Sequence, residues 1–328
     1  MLRWVLPLQT AKEFRVVSRV VAHLIVGAKQ EPFLPAMLAS IEPAVEHLFV
    51  NENSGLGRRA PMIGALEGSA LFRSGRLTLA QTAFSGFCAA RNECLKLDRS
   101  ATSETWVGFI DADEVHDERI ATVAYNLARL PKNISFIDGF TWHFFKSFDW
   151  YLAVERRMMF FRWTPDAHWE GDVHERLCGI DGARLALPYV YAHYGHVSPF
   201  AEDTRQGSQY ASLGQFGNAL PADIAHEADV EGDFHRLNPH FADRWRRVIR
   251  FSGSHPAPVR PIIAYEKLRL ADHFRRVENA IAEHQPPAQR VKNFFLRLNY
   301  SQRWRLRRLQ AARYGMLRSS SAASSNTA

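Results

Sequence analysis

Trp106-Val107-Gly108-Phe109-Ile110-Asp111-Ala112-Asp113-Glu114 is the stretch on which the reading of this chain turns. An apolar run of strand character ends in three carboxylates. In open α/β sheets, ligands bind at the carboxyl ends of the strands. Carboxylates two residues apart suit a hard divalent cation that keeps positions open for phosphate oxygens, as Mg²⁺ or Mn²⁺ does. Acidic caps at a helix N-terminus would produce the same pattern, so D-x-D alone leaves both open.

Upstream, residues 20–26 (Val-Val-Ala-His-Leu-Ile-Val) form a continuous apolar run. Such a run fits a strand buried on both faces of a parallel sheet. The pattern predicts a helix from about Pro32 to Ile41, a strand over His47–Asn51, a helix over 82–97 and a strand over Trp106–Ile110. A further helix is expected over Asp117–Leu130, with acidic residues in its first turn where the helix dipole favours them. Later strands are expected at 136–144, 156–162 and 187–192. Alternating strands and helices indicate an α/β fold with a mixed, mostly parallel sheet flanked by helices. The division expected is a lead-in (1–19), an α/β domain (20–200), a mostly helical extension (201–318) and a disordered, Ser-rich end (319–328).

The chain has 328 residues, 46% of them hydrophobic and 23% charged, and 3 cysteines without a CxxC pair. That composition excludes a disordered chain and a disulfide scaffold, and it fits a reducing, cytoplasmic setting. No run approaches the length of a membrane span. The net charge of +7 is unevenly placed: nine Lys and Arg lie between Arg290 and Arg318, and no acidic residue follows Glu283. Without those nine the balance is 32 basic against 34 acidic. Val291, Phe294, Phe295 and Leu298 recur at helical spacing within this basic segment. Such a helix suits an anionic membrane surface or packing on the main domain, and nucleic acid is not the partner expected.

Three other segments carry possible chemistry. Trp169-Glu170-Gly171-Asp172-Val173-His174-Glu175 gathers polar groups beside an aromatic, and either Asp172 or Glu175 could serve as a base or lie in a surface turn. His193 and His196, in Tyr191-Ala192-His193-Tyr194-Gly195-His196, are potential metal ligands at a strand end or structural residues. Gly55-Leu56-Gly57-Arg58-Arg59-Ala60 matches G-x-G-x-x-A, but no acidic residue closes a further strand about 20 residues on, as a dinucleotide site requires.

Taken in order, these pieces resemble a family 2 glycosyltransferase of the GT-A fold. The carriers are Lys29-Gln30-Glu31 after the first strand, Glu52-Asn53-Ser54 after the second, and Ala90-Arg91-Asn92 on a helix. Asp111 to Glu114, Trp169 to Glu175 and His193-Tyr194-Gly195 follow. Gln30 and Glu52 depart from the usual Asn and Asp. The resemblance spans about residues 20–200 and includes bacterial surface-polysaccharide and lipopolysaccharide enzymes. It implies an inverting transfer from a nucleotide-sugar, with a UDP-sugar the first expectation, to a hydroxyl on a glycan or lipid-linked acceptor. Asp113 and His193 would hold Mn²⁺ or Mg²⁺, and Asp111 would touch the ribose or the metal shell. Lys29, Glu31, Glu52, Asn53 and Arg91 would line the nucleotide pocket. Glu175 is the first choice of base and Asp172 the second. Trp142, Trp150 and Trp169 would offer stacking faces to a sugar. The rival expectations are a metal-dependent nucleotidyltransferase or phosphodiesterase using Asp111, Asp113 and His174, a dinucleotide-dependent oxidoreductase using Gly55 and Gly57, and a non-catalytic membrane-binding protein on the same scaffold.

Overall fold

The computed structural model describes residues 19–171, 175–197 and 244–296. The lead-in 1–18, residues 172–174 with Asp172 and His174, the segment 198–243 and the chain beyond residue 296, with most of the basic end, lie outside the described residues.

The expected α/β alternation forms. Strand β1 (Val20–Val26) is central, parallel to β2 (His47–Glu52) on one side and β4 (Trp106–Phe109) on the other. Strand β3 (Leu77–Gln81) extends the sheet beyond β2. Beyond β4 come β7 (Trp150–Arg162), β6 (Ile134–Phe145), β10 (Ala183–His196) and the short β5 (Glu114–Val115), giving the order β3-β2-β1-β4-β7-β6-β10-β5. Strands β7 and β5 oppose the common direction. A separate hairpin pairs β8 (His168–Glu170) with β9 (Arg176–Cys178). Residues 244–296 pack on the same sheet, where β11 (Ile249–Arg250) pairs with β7 and Trp245 packs edge-on against Phe145.

Both faces of the parallel half are covered, which is why β1 reads as unbroken apolar sequence. Val20, Ala22 and Leu24 face the cluster built on α1 (Leu34–Ile41) and α5 (Arg119–Leu127). Val21, Phe49, Val107 and Phe161 face the opposite way, with Trp169 and residues of α4 (Phe87–Leu97). Two short helices, α2 (Ile63–Glu67) and α3 (Ala70–Arg73), lead into β3. Helices α6 (Arg260–Arg269) and α7 (Ala271–His284) form the later layer.

Three local expectations are corrected. The helix predicted over 82–97 begins at Phe87, because Gly86 enters it at φ 116°, a conformation that stops an L residue from continuing the helix backwards. Strand β3 has no counterpart among the expected strands; its LTLAQ run is only five residues long and alternates only over Leu77–Leu79. Asp117 precedes α5 rather than lying in its first turn, and its carboxylate accepts from Arg119 N at 3.0 Å.

Candidate active site

The carboxylate run does not cap a helix. After β4 the chain turns at Ala112 and Asp113 and re-enters the sheet as β5, whose Glu114 pairs with His193 of β10. Tyr194 N donates to the Asp113 carbonyl at 3.0 Å. This antiparallel pairing sets Asp113 against the end of β10, with His193 Nε2 3.5 Å from Asp113 Oδ1. Gly195 lets Asp113 approach this closely, since a methyl group there would meet Asp113 Oδ2 and push the carboxylate aside.

Burial and neighbours divide the carboxylates. Burial alone would raise Asp111, but the Arg91 and Arg157 guanidiniums outweigh it and hold Asp111 below its ordinary range. Burial pushes Asp113 up, and the adjacent Asp111 adds to it. Asp113 Oδ1 is buried without a hydrogen-bond donor. Burial also raises Glu114 to about 8 against the pull of Arg157, whose Nη1 lies 3.1 Å from Glu114 Oε1. Glu31 is raised to about 7 by burial and then by Asp113, with Lys29, 3.5 Å away, opposing. His193 is lowered to about 3 by burial, with His143 and Arg157 contributing, so its ring is neutral.

A buried carboxylate oxygen without a donor, facing an imidazole nitrogen, fits a divalent cation, which would also favour the ionised carboxylate that burial disfavours. Asp113 and His193 are therefore suited to the metal role expected of them. Behind His193 the ring nitrogens continue: His193 Nδ1 lies 3.1 Å from His143 Nδ1, and His143 Nε2 lies 3.2 Å from Glu155 Oε2.

Arg91 is the second organiser. It is buried beneath Phe109, with its guanidinium carbon 3.7 Å from that ring centroid and 5.5 Å from Trp169. Its Nε donates to Glu175 Oε1 at 2.8 Å and its Nη2 to Asp111 Oδ1 at 3.1 Å. The flanking residues lock α4 in place. Ala90 O accepts from Asn51 Nδ2 at 3.0 Å, and Asn92 exchanges two hydrogen bonds with the Trp169 backbone at 3.0 and 2.8 Å. Ala90 thus docks the helix on β2, Arg91 bridges two carboxylates, and Asn92 fixes the β8–β9 hairpin that leads to Glu175.

Glu52 and Asn53 end β2 beside the end of β1. Glu52 accepts from Ser54 N at 2.7 Å and from Gln81 Nε2 at 3.2 Å, and Asn53 N donates to Val26 O at 2.9 Å. Both therefore lie on the sheet edge that carries Asp111 and Asp113. A cavity of about 360 Å³ opens beside Lys29, Glu31 and Gly195 and reaches Tyr265, Glu266 and Arg269 of α6.

Among the expected stacking faces, Trp169 is corrected: it is buried, with Phe109 4.8 Å from its centroid and Arg91 across it. Trp150 donates its indole N–H to Glu278 at 2.6 Å, and Trp142 packs edge-on against Phe251. The G-x-G-x-x-A segment forms only a three-residue 3₁₀ turn, Gly57–Arg59, with Arg58 pointing to solvent. It lacks the long helix whose N-terminus a dinucleotide site needs. Sequence reasoning missed His143, Glu155 and Arg157. Their signal was a polar residue interrupting an apolar strand, at His143 within Trp142-His143-Phe144 and at Arg157 ahead of Met158-Met159-Phe160.

No family model matches the chain, and no curated protein does. Among solved structures, it is similar to a mannosyltransferase, PcManGT, from Pyrobaculum calidifontis in complex with GDP-Man and Mn²⁺. That match has 16% identity, covers 91% of this chain and 85% of that one, and has a TM-score of 0.37. Glucosyl-3-phosphoglycerate synthase from Mycobacterium tuberculosis, with Mn²⁺, UDP and glucosyl-3-phosphoglycerate, gives 18% identity, 42% and 50% coverage and a TM-score of 0.27. TarS 1–349 of S. aureus gives 11% identity, 82% and 93% coverage and 0.33. At these identities and scores, the functional reading has to come from the residues themselves.

Proposed function

We propose that the chain is a metal-dependent glycosyltransferase of the GT-A type that moves a sugar from a nucleotide-sugar, a UDP-sugar first, to an acceptor hydroxyl with inversion. The observation that carries the reading is Asp113 Oδ1, buried without a donor and facing neutral His193 Nε2 at the carboxyl edge of a parallel sheet. Asp113 and His193 would hold Mn²⁺ or Mg²⁺, and a cation there would offset the charge that builds on a departing diphosphate. Glu52 and Asn53, at the neighbouring strand end, would receive the nucleoside, with Lys29 and Glu31 beside it. Asp111, kept ionised by Arg91 and Arg157, would accept a ribose hydroxyl hydrogen bond.

The acceptor hydroxyl has a high pKa, so its proton must leave as its oxygen attacks the anomeric carbon and the bond to the diphosphate breaks. Glu175 would take that proton. The Arg91 Nε bond at 2.8 Å fixes the direction of its carboxylate. Asp172 stays the second choice. The acceptor class that suits the basic C-terminal segment is a lipid-linked or surface glycan at an anionic membrane. Helical residues 287–296 are anchored by buried Asn293, which donates to Arg246 O and Val248 O at 3.1 Å. Val291, Phe294 and Phe295 of the same helix are 56%, 55% and 61% exposed. No helix among the described residues is long and apolar enough to cross a membrane.

Calorimetric titration of UDP and GDP into the full-length protein, with and without Mn²⁺, tests the reading. Metal-dependent binding that Asp113→Ala removes is the expected result. Binding indifferent to both metal and Asp113 would overturn it. Turnover of a phosphodiester without a sugar acceptor would favour the hydrolytic rival.

A further inference from the structure

A second group of metal-ligand side chains lies away from Asp113, on the outer face of the β8–β9 hairpin. Antiparallel pairing sets His168 directly opposite Cys178, and Glu170 follows two residues along, on the same face of the strand. Trp169, between them, turns inward to the core. His168 Nδ1 lies 2.7 Å from the Asp166 carbonyl. A carbonyl only accepts, so Nδ1 carries a hydrogen and leaves Nε2 as the ligand atom. Nε2 faces Glu170 Oε1 at 3.0 Å, a contact that a second ring proton makes in the metal-free protein and that a metal ion can take over. Cys178 Sγ lies 3.4 Å from Glu170 Oε2, and the three ligand atoms fall within 4.8 Å of one another.

The backbone beneath this group is fixed. Gly179, at φ 75°, lies so close to Asp166 that a methyl group would overlap the Asp166 carbonyl, and Thr164 Oγ1 donates to Gly179 O at 2.8 Å. The carbonyl that orients His168 and the strand that carries Cys178 are therefore held together before any ion arrives. An imidazole with its far N–H on a carbonyl, a carboxylate and a thiol make up a borderline-soft donor set, the type zinc prefers. His168 and Glu170 are half-exposed, so water can fill a fourth position. Arg176 Nη2, 3.2 Å from Glu170 Oε2, is the present counter-ion.

We propose that His168, Glu170 and Cys178 form a Zn²⁺ site that fastens the β8–β9 hairpin. Binding deprotonates the Cys178 thiol and displaces Arg176 from Glu170. Glu175 directly precedes β9, so the ion fastens the strand that follows that residue. The site shares no ligand with Asp113 and His193, so it stands whether or not the chain transfers a sugar.

Co²⁺ titration of the full-length, reduced protein reads the thiolate directly. A near-ultraviolet thiolate-to-cobalt band that grows to one equivalent and is erased by Zn²⁺ is expected. Cys178→Ser should remove the band, His168→Ala should weaken Co²⁺ binding by at least ~10-fold, and Cys88→Ser and Asp113→Ala should leave it intact. Absence of the band in the unmodified protein, or a band that survives Cys178→Ser, would overturn the assignment. Circular dichroism of the variants separates loss of the site from loss of the fold.

Discussion

His143 Nδ1 and His193 Nδ1 face each other at 3.1 Å, one ring nitrogen donating and the other accepting. The two residues are direct partners in the parallel pairing of β6 and β10, so the sheet itself aligns the rings. Glu155, 3.2 Å from His143 Nε2, favours a proton on that nitrogen. His143 Nδ1 then accepts, His193 Nδ1 donates, and His193 Nε2 is left with its lone pair toward Asp113. Outer partners of this type commonly govern ligand strength by 10–100-fold. His143→Phe should therefore weaken Mn²⁺ binding by about 10-fold, read by paramagnetic resonance of free Mn²⁺ without any turnover assay. Unchanged affinity would remove His143 from the metal's surroundings.

Gly195→Ala tests the close approach on the other side of Asp113. The added methyl displaces the carboxylate that it would strike. A loss of transfer rate of ~10²-fold or more is expected, comparable to deleting an electrostatic stabiliser, with the thermal midpoint nearly unchanged. Nucleoside diphosphate release at saturating acceptor is the measurement.

Arg91→Met should be costly to the fold. It leaves Asp111 and Glu175 without the guanidinium that joins them, and removing one partner of a buried ion pair costs about 3–5 kcal/mol. Urea denaturation gives the value. A loss below ~1 kcal/mol would mean that water replaces Arg91 readily.

Acid should weaken the protein through His116. Burial lowers this ring to about 4, with Asp117 opposing, while its unfolded value stays near 6.5. Below 6.5 the unfolded chain takes up a proton that the folded chain refuses. The His116 contribution therefore falls as pH drops from 6.5 to 4 and is constant below that, by on the order of 3 kcal/mol. His116→Phe loses the hydrogen-bond partner of Tyr189 OH, 3.2 Å away, and is less stable at neutral pH, yet its stability should vary less across that window. Denaturation at several pH values checks the slope.

At the membrane end, Phe294→Asp with Phe295→Asp should reduce co-sedimentation with anionic vesicles several-fold, through lost apolar area and added negative charge. Both side chains are more than half exposed, so folding should tolerate the change. Equal sedimentation would return this helix to a purely structural role.

Most of the parallel half was legible because burial on both faces leaves an unmistakable apolar run. Val20–Val26 was bounded to the residue, and Trp106–Phe109 to within one. The carboxylates were legible as a group, but the opposite pKa shifts of Asp111 and Asp113 were not. The lowering of Asp111 depends on Arg157, which arrives from β7 across the sheet, and on Arg91 from α4. Nor did sequence spacing disclose His143, which meets His193 only through a strand pairing fifty residues long in sequence. Trp169 misled for a related reason: an aromatic beside polar residues reads as a sugar platform until Phe109 and Arg91 are seen to occupy it.

The strand order carries a consequence for synthesis. Strand β4 gains its second neighbour only from β7, and β7 gains β6 on its other side. As the chain leaves the ribosome, the parallel half is complete while β4 still presents an open edge, which invites pairing with another nascent chain. The β4 edge is covered once residues 150–162 have emerged, and β6 then stays open on one side until residues 183–196 follow. A translational pause placed before Trp150 should therefore promote aggregation, and one placed after His196 should not.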